Sequence, residues 1–288
     1  MNIGVVGLGL IGGSIARDLK ALGHTITGVD MNDKHIEMAY DIGFIDDHGD
    51  IKMATEKCEA IFLAVPVDHI ETLAIEILDH IKWNAVLIDV GSTKKGICES
   101  IGDHKKRSRF VAAHPLAGTE FSGPSAALEE LFAHKKNIIC EEDKVDEDAL
   151  DIAISLFDQM KMQSLFMDPD EHDKHMAYVS HLSHVSSFML GMTVLDIEKD
   201  SKQIVNLAST GFESTVRLAK SNPDTWASIF DKNAEHLSTA LGAYINHLED
   251  FKDKLDKKDK KGIKNYLISA NNIKRVLKGI KLNILKLS

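Results

Sequence analysis

Cysteine is scarce and unpatterned in this chain. Its 288 residues include three, Cys58, Cys98 and Cys140, set far apart and without a CxxC pair. That spacing argues against a disulfide framework or a zinc site and suits a reducing cytoplasm. Long apolar runs are missing too, since none nears the ~20 residues that a membrane helix needs. The first residues, MNIGVVGLGLIGGS, contain neither a basic leader nor a small-residue cleavage site, so no signal peptide is expected. An excess of basic charge is also absent. The net charge of −10 argues against nucleic-acid binding, which depends on cations to neutralise phosphates. The charge is uneven: residues 249–288 carry twelve Lys/Arg against five Asp/Glu. The plain reading of that segment is a solvated helical tail; a basic docking arm is the other.

What is present is a hydrophobic fraction of 44%, enough for a substantial core. Asn2–Gly7, Thr25–Asp30, Ala60–Ala64, Ala85–Asp89 and Phe110–Ala113 are short, nearly continuous apolar runs, the pattern of strands buried on both faces of a parallel sheet. Helical periodicity fills the gaps at Gly12–Leu22, Lys34–Ile42 and Asp68–His80. This alternation predicts an α/β fold, a Rossmann-type doubly wound parallel sheet. Lys136–Cys140 adds a strand and Glu147–Met160 a helix, before a short apolar segment at Gln163–Met167. From Asp168 glycine thins out, and Pro223 is the only proline beyond Pro169. Asp170–Glu198, Ser201–Ala219, Asp224–Leu255 and Ile263–Lys278 all read as helices. The expected division is therefore a dinucleotide-binding domain over 1–167 and an all-helical domain over 168–288. Helices so apolar should pack on each other or on a second subunit.

Gly7-Leu8-Gly9-Leu10-Ile11-Gly12 is a GxGxxG between a strand and a helix, the context in which that motif cradles a pyrophosphate. Gly7 permits the turn, Gly9 the close approach of phosphate, and Gly12 the packing of helix on strand; Leu10 and Ile11 open the helix whose N–H groups face the phosphates. Asp30, at the end of the second strand, is placed to accept from ribose hydroxyls. Neither Met31 nor Asn32 supplies an arginine for a 2′-phosphate, so NAD is expected over NADP. Val65-Pro66 and Gly91-Ser92-Thr93 follow two further strand ends, where such sheets line their ligand crevice. Ser92 is read both as a donor near the nicotinamide and as a helix N-cap.

Among fourteen histidines, His114 stands out. It ends a strand, precedes Pro115, and has a side chain suited to exchanging a proton with a substrate hydroxyl near neutral pH. Ser180-His181-Leu182-Ser183-His184 sets two histidines on one helix face. They are read as polar site residues or as satisfied core histidines; no third ligand at a persuasive spacing completes a metal site. Arg217, on spacing alone, reads as a surface cation or an ion-pair partner.

Taken in order, GLGLIGGS, AVP, DVGSTK, HPLAGTE, SHLSHVSSF and GFESTVRLAKSNPDTW resemble the prephenate/arogenate dehydrogenase family over residues 1 to about 250. The resemblance implies oxidative decarboxylation of prephenate by NAD to 4-hydroxyphenylpyruvate for tyrosine synthesis, in a homodimer joined through the helical domain. By the same resemblance, His114 is the catalytic group at the ring hydroxyl and Ser92 its hydrogen-bonding companion. Thr119 and Glu120 gate the pocket, His184, with Ser180 and His181 beside it, is a polar contact to the substrate, and Arg217 binds a carboxylate. Three positions depart from the family pattern. Ser183 stands where proline is frequent, Ala208-Ser209-Thr210-Gly211 where a glycine-rich run is common, and Glu213 where some members have lysine. Two rival readings are another Rossmann hydroxyacid dehydrogenase and a catalytically silent NAD-binding regulator. The former usually carries a lysine base, and the latter needs neither His114 nor Arg217.

Overall fold

The computed structural model describes residues 1–198 and 209–278. Eight strands form one sheet: β1 (Asn2–Val6), β2 (Thr25–Val29), β3 (Asp47–His48), β4 (Ala60–Leu63), β5 (Val86–Asp89), β6 (Phe110–Pro115), β7 (Lys136–Cys140) and β8 (Gln163–Met167). Their spatial order is β3-β2-β1-β4-β5-β6-β7-β8. The first six are parallel, as the alternation of apolar runs and helices predicts.

The last two strands, whose direction their apolar pattern leaves open, run opposite to the other six. β7 runs antiparallel to β6, with His114 opposite Ile138, and β8 is parallel to β7. The connections explain it. A parallel neighbour needs a helical crossover, and between Pro115 and Lys136 the chain forms only a short 3-10 turn at Pro124–Ala126. A full helix, Glu147–Gln159, lies between β7 and β8.

Alternation along the strands builds a core on each face. Ile3, Val5, Phe62, Ile88, Val111 and Ala113 join one apolar layer, while Val6, Leu63, Leu87, Phe110 and Ala112 join the other. All three cysteines are buried and unbonded. The helices α1 (Leu10–Ala21), α2 (Asp33–Ile42), α3 (Ile51–Lys57), α4 (Val67–His80), α5 (Lys95–Ser100) and α6 (Glu147–Gln159) complete the α/β layers. Strand β3 and helix α3, too short to show a period, were not legible in the sequence.

Beyond β8 the described helices include α7 (Pro169–Met176), α8 (Leu182–Glu198), α9 (Thr210–Val216), α10 (Pro223–Lys232), α11 (Ala234–Asp256) and α12 (Lys260–Ala270). The single helix expected over Asp170–Glu198 contains a π-helical turn at Ala177–His181. The helix expected over Ser201–Ala219 lies partly outside the described residues; its visible part is α9 and a 3-10 turn at Arg217–Lys220. The one expected over Asp224–Leu255 breaks at Asn233, whose backbone leaves the helical region at φ −120 and ψ 30. The chain divides into two compact units, Met1–Ala234 and a second beginning at Glu235. Among the described residues, no helix is long and apolar enough to cross a membrane.

Candidate active site

The glycine turn after β1 forms as its spacing requires. Gly7 has φ +92, a conformation that side-chain-bearing residues rarely adopt, and its N–H donates to Val29 O at 2.8 Å. A Cβ on Gly12 would collide with the carbonyl of Gly7. Gly9 differs: its φ of −72 is ordinary, and a Cβ there would meet nothing within 4 Å. Neither packing nor backbone demands glycine at that point, so its small size serves the open space in front of it. As N-cap of α1, Gly9 offers no side-chain cap, and the helix has no acid in its first turn. Leu10 and Ile11, both half-buried, begin that helix. Its free N–H groups suit an anion such as a pyrophosphate.

Asp30 lies beside this turn. Its Oδ2 accepts from Leu8 N at 2.7 Å and its Oδ1 from Asn32 N at 2.9 Å, while His35 Nδ1 is 3.3 Å from Oδ2. The carboxylate is thereby oriented and still has lone pairs for a ribose. Met31 is 96% exposed and brings no cation. Half-buried Val65 and exposed Pro66 follow β4, as expected of a crevice-lining strand end.

The residues after β5 depart from one reading. Ser92 is half-buried and is not an N-cap; the N-cap of α5 is Lys94, with no side-chain cap of its own. The cap comes from α7: Asp173 Oδ1 accepts from Lys94 N at 2.8 Å and Oδ2 from Lys95 N at 3.0 Å. Ser92 makes no hydrogen bond to His114 among the described residues. Beneath the turn, the side chains of Lys94 and Asp89 pair with no exposure, and Lys94 Nζ also donates to Ala113 O at 2.8 Å.

His114 occupies the carboxyl end of β6, on the sheet face that carries Phe110, Ala112 and Ile138. Its Nδ1 lies 2.8 Å from His172 Nε2, and His172 Nδ1 lies 2.7 Å from Asp173 Oδ1. Desolvation first, then the neighbouring His172, Lys94 and His181, hold the His114 pKa well below the ordinary 6.5. Burial also lowers His172, with Asp173 partly opposing it. For Asp173, burial pushes upward, but hydrogen bonds from His172 and the Lys94 and Lys95 backbone prevail and hold the carboxyl low.

The paired histidines of the helical region separate. His181 is 1% exposed, and Asn233 Nδ2 donates both to its Nδ1 at 3.1 Å and to Asp173 O at 2.7 Å. This use of its amide accounts for Asn233 standing where the helix breaks. Burial above all lowers the His181 pKa to about 4. His184 stays half-buried and stacks on Trp226, with centroids 3.4 Å apart and planes 22° from parallel. Its Nδ1 bonds to Ser180 O at 3.1 Å. Thr119 is exposed, and Glu120 accepts from Arg217 Nη1 at 3.0 Å.

Sequence reasoning missed His172, Asp173, Lys94 and Asn233. The stretch from Pro169 to Met176 looks like an ordinary acidic helix start, and no local signal ties His172 to a histidine 58 positions earlier.

A glycine turn suited to a dinucleotide at the end of β1, with a desolvated histidine at the end of β6 in the same sheet, defines the class, a pyridine-nucleotide-type dehydrogenase. Comparisons narrow it. A family model described as prephenate dehydrogenase, nucleotide-binding domain, matches residues 15–165, and one described as prephenate dehydrogenase, dimerization domain, matches residues 168–269. The chain belongs to the prephenate dehydrogenase family. A prephenate dehydrogenase from Bacillus subtilis is 28% identical over 275 residues, covering 93% of this chain and 74% of that protein. The solved structure of the prephenate dehydrogenase from A. aeolicus, in complex with hydroxyphenyl propionate and NAD+, superposes with a TM-score of 0.87 at 29% identity, over 96% of this chain and 97% of that one. An arogenate dehydrogenase structure from Synechocystis gives 0.79 at 29% identity, over 96% and 100%.

Proposed function

We propose that the chain is an NAD-dependent dehydrogenase that oxidises and decarboxylates prephenate to 4-hydroxyphenylpyruvate. The observation that carries this reading is His114: a histidine whose pKa is held well below 6.5 by its surroundings, at the carboxyl end of β6 in the sheet that bears the glycine turn. Asp30 and the Gly7–Gly12 turn would hold NAD, which when bound supplies the hydride acceptor.

The remaining work falls to the chain's own groups. His114 Nε2 takes the proton of the ring hydroxyl, so that negative charge grows on that oxygen and expels the hydride from its carbon. Ser92, just beyond strand β5, which pairs with β6, would orient the same hydroxyl. Arg217 holds a carboxylate, with Thr119 and Glu120 at the mouth and Ser180 and His184 along the helical side, while buried His181 packs behind them. Loss of the ring carboxylate as carbon dioxide aromatises the ring and makes the step irreversible. We place the domain boundary at Asp168 and assign the helical domain to homodimer contact.

The test supplies the purified chain with NAD and either prephenate or arogenate. NADH and 4-hydroxyphenylpyruvate are expected with prephenate, and His114→Asn should lower kcat by about 10²–10⁴-fold. Turnover of arogenate alone, giving tyrosine, would replace the substrate; turnover of neither would overturn the reading.

A further inference from the structure

We infer that His172 and Asp173 are positioning residues that fix His114 as the tautomer with a free Nε2 and hold the charge it acquires. This rests on the reaction proposed above. The protonation pattern follows outward from Asp173. Two of its contacts are the backbone N–H groups of Lys94 and Lys95, which only donate, so Asp173 accepts as a carboxylate. His172 Nδ1, at 2.7 Å, must then carry a proton. A neutral His172 has its lone pair on Nε2, which faces His114 Nδ1 at 2.8 Å. His114 therefore carries its proton on Nδ1 and presents Nε2 unprotonated. Every donor in this chain is matched to an acceptor, and reversing any one link would set two protons or two lone pairs against each other.

The same chain gives the incoming proton a destination. When the substrate O–H bond breaks, a proton joins His114 Nε2. The His114 Nδ1–H bond can then break as a bond to His172 Nε2 forms. His114 ends neutral, and the cation is His172, against the carboxylate of Asp173. No electron moves beyond the hydride already leaving the substrate. The other charged and titratable groups facing His114 offer no such relief. Lys94 and His181 disfavour a cation there, and Asp89 is already committed to Lys94. Asp173 is thus the carboxylate available to the imidazole pair.

Because Asp173 also caps α5, the test varies His172, whose side chain is fully buried. H172F removes the acceptor; H172Q restores one, because a glutamine carbonyl reaches the position of Nε2, but it cannot take up the proton. Nitrogen-15 NMR of the free protein should show His114 wholly as the Nδ1–H tautomer in wild type and H172Q, and as a mixture in H172F. In the NAD-loaded enzyme, kcat should fall by about 10²–10⁴-fold in H172F, with KM changing far less, and H172Q should recover part of it. The acidic limb of kcat/KM should move in H172Q, since the cation loses its route to Asp173 and His114 loses the neighbouring imidazole that helps lower its pKa. An unchanged His114 tautomer with full kcat in H172F would overturn the inference. Should H172F not fold, full kcat with an unmoved acidic limb in H172Q would do the same. Turnover of neither prephenate nor arogenate by wild type would defeat the proposed reaction, while the tautomer measurement in the free protein would still decide this assignment.

Discussion

The guanidinium of Arg217 donates to Glu120 at 3.0 Å, joining the loop after β6 to the turn after α9. Glu213, one turn earlier in the sequence, lies 3.6 Å from Lys220 instead. The Arg217 side chain is 50% exposed, and exposed pairs contribute only ~0–1 kcal/mol. Glu120 therefore holds Arg217 only weakly and leaves the guanidinium able to take the carboxylate proposed for it.

Arg217→Ala should raise the KM for prephenate by roughly one to several orders of magnitude, from losing about 2–5 kcal/mol of paired charge. Its melting temperature should barely change. Glu120→Gln should lower KM by at most about fivefold, the equivalent of an exposed pair. An Arg217→Ala protein that melts early but keeps its KM would make Arg217 a structural residue.

Most of the scaffold was legible because strands buried on both faces leave a one-dimensional signature. The glycine turn and Asp30 carry theirs in spacing. The antiparallel β7 was not legible, because Lys136–Cys140 has the same apolar pattern in either direction and only the connection decides. The His114–His172–Asp173 chain was hidden for a different reason. Its contacts join β6 to α7 across 58 residues, and a histidine beside an aspartate on a helix is common as a solvated pair. The helix break at Asn233 likewise depends on a tertiary contact to His181 and Asp173.

Cofactor choice should rest on Asp30. Its carboxylate, held by Leu8 N and Asn32 N, would repel a 2′-phosphate, and no neighbouring arginine compensates. NAD should be preferred strongly in kcat/KM, and Asp30→Ser with Met31→Arg should move preference toward NADP. Equal kcat/KM for the two cofactors in wild type would dismiss Asp30 as the determinant.

The Lys94–Asp89 pair should behave as a buried ion pair whose halves depend on each other. Lys94→Met would leave Asp89 uncompensated and free the carbonyl of Ala113, next to His114. A loss of about 3–5 kcal/mol in urea unfolding is expected. Lys94→Met combined with Asp89→Leu should recover much of that, since both charges then leave the interior. A single mutant as stable as wild type would show that Asp89 is neutral in the fold.

Acid should destabilise the apo-protein well before its surface carboxylates titrate. His114, His172 and His181 all have folded pKa values below 6.5. Between 6.5 and each folded value, the unfolded chain binds a proton that the folded protein refuses. Stability must then fall as pH drops through that window, by about 1.4 kcal/mol per pH unit for each histidine involved. His181, lowered to about 4, alone contributes roughly 3 kcal/mol between pH 6.5 and 4 by that slope. Burial pushes the Asp89 carboxyl upward and so works in the opposite sense, leaving a net slope below the sum of the three histidines. Urea titrations from pH 7 to 4 should show this decline, and His181→Asn should flatten it, because asparagine offers Asn233 an acceptor near the Nδ1 position without titrating. A flat profile in wild type, or an identical slope in His181→Asn, would mean that these imidazoles take up protons as readily in the folded protein as in the unfolded chain.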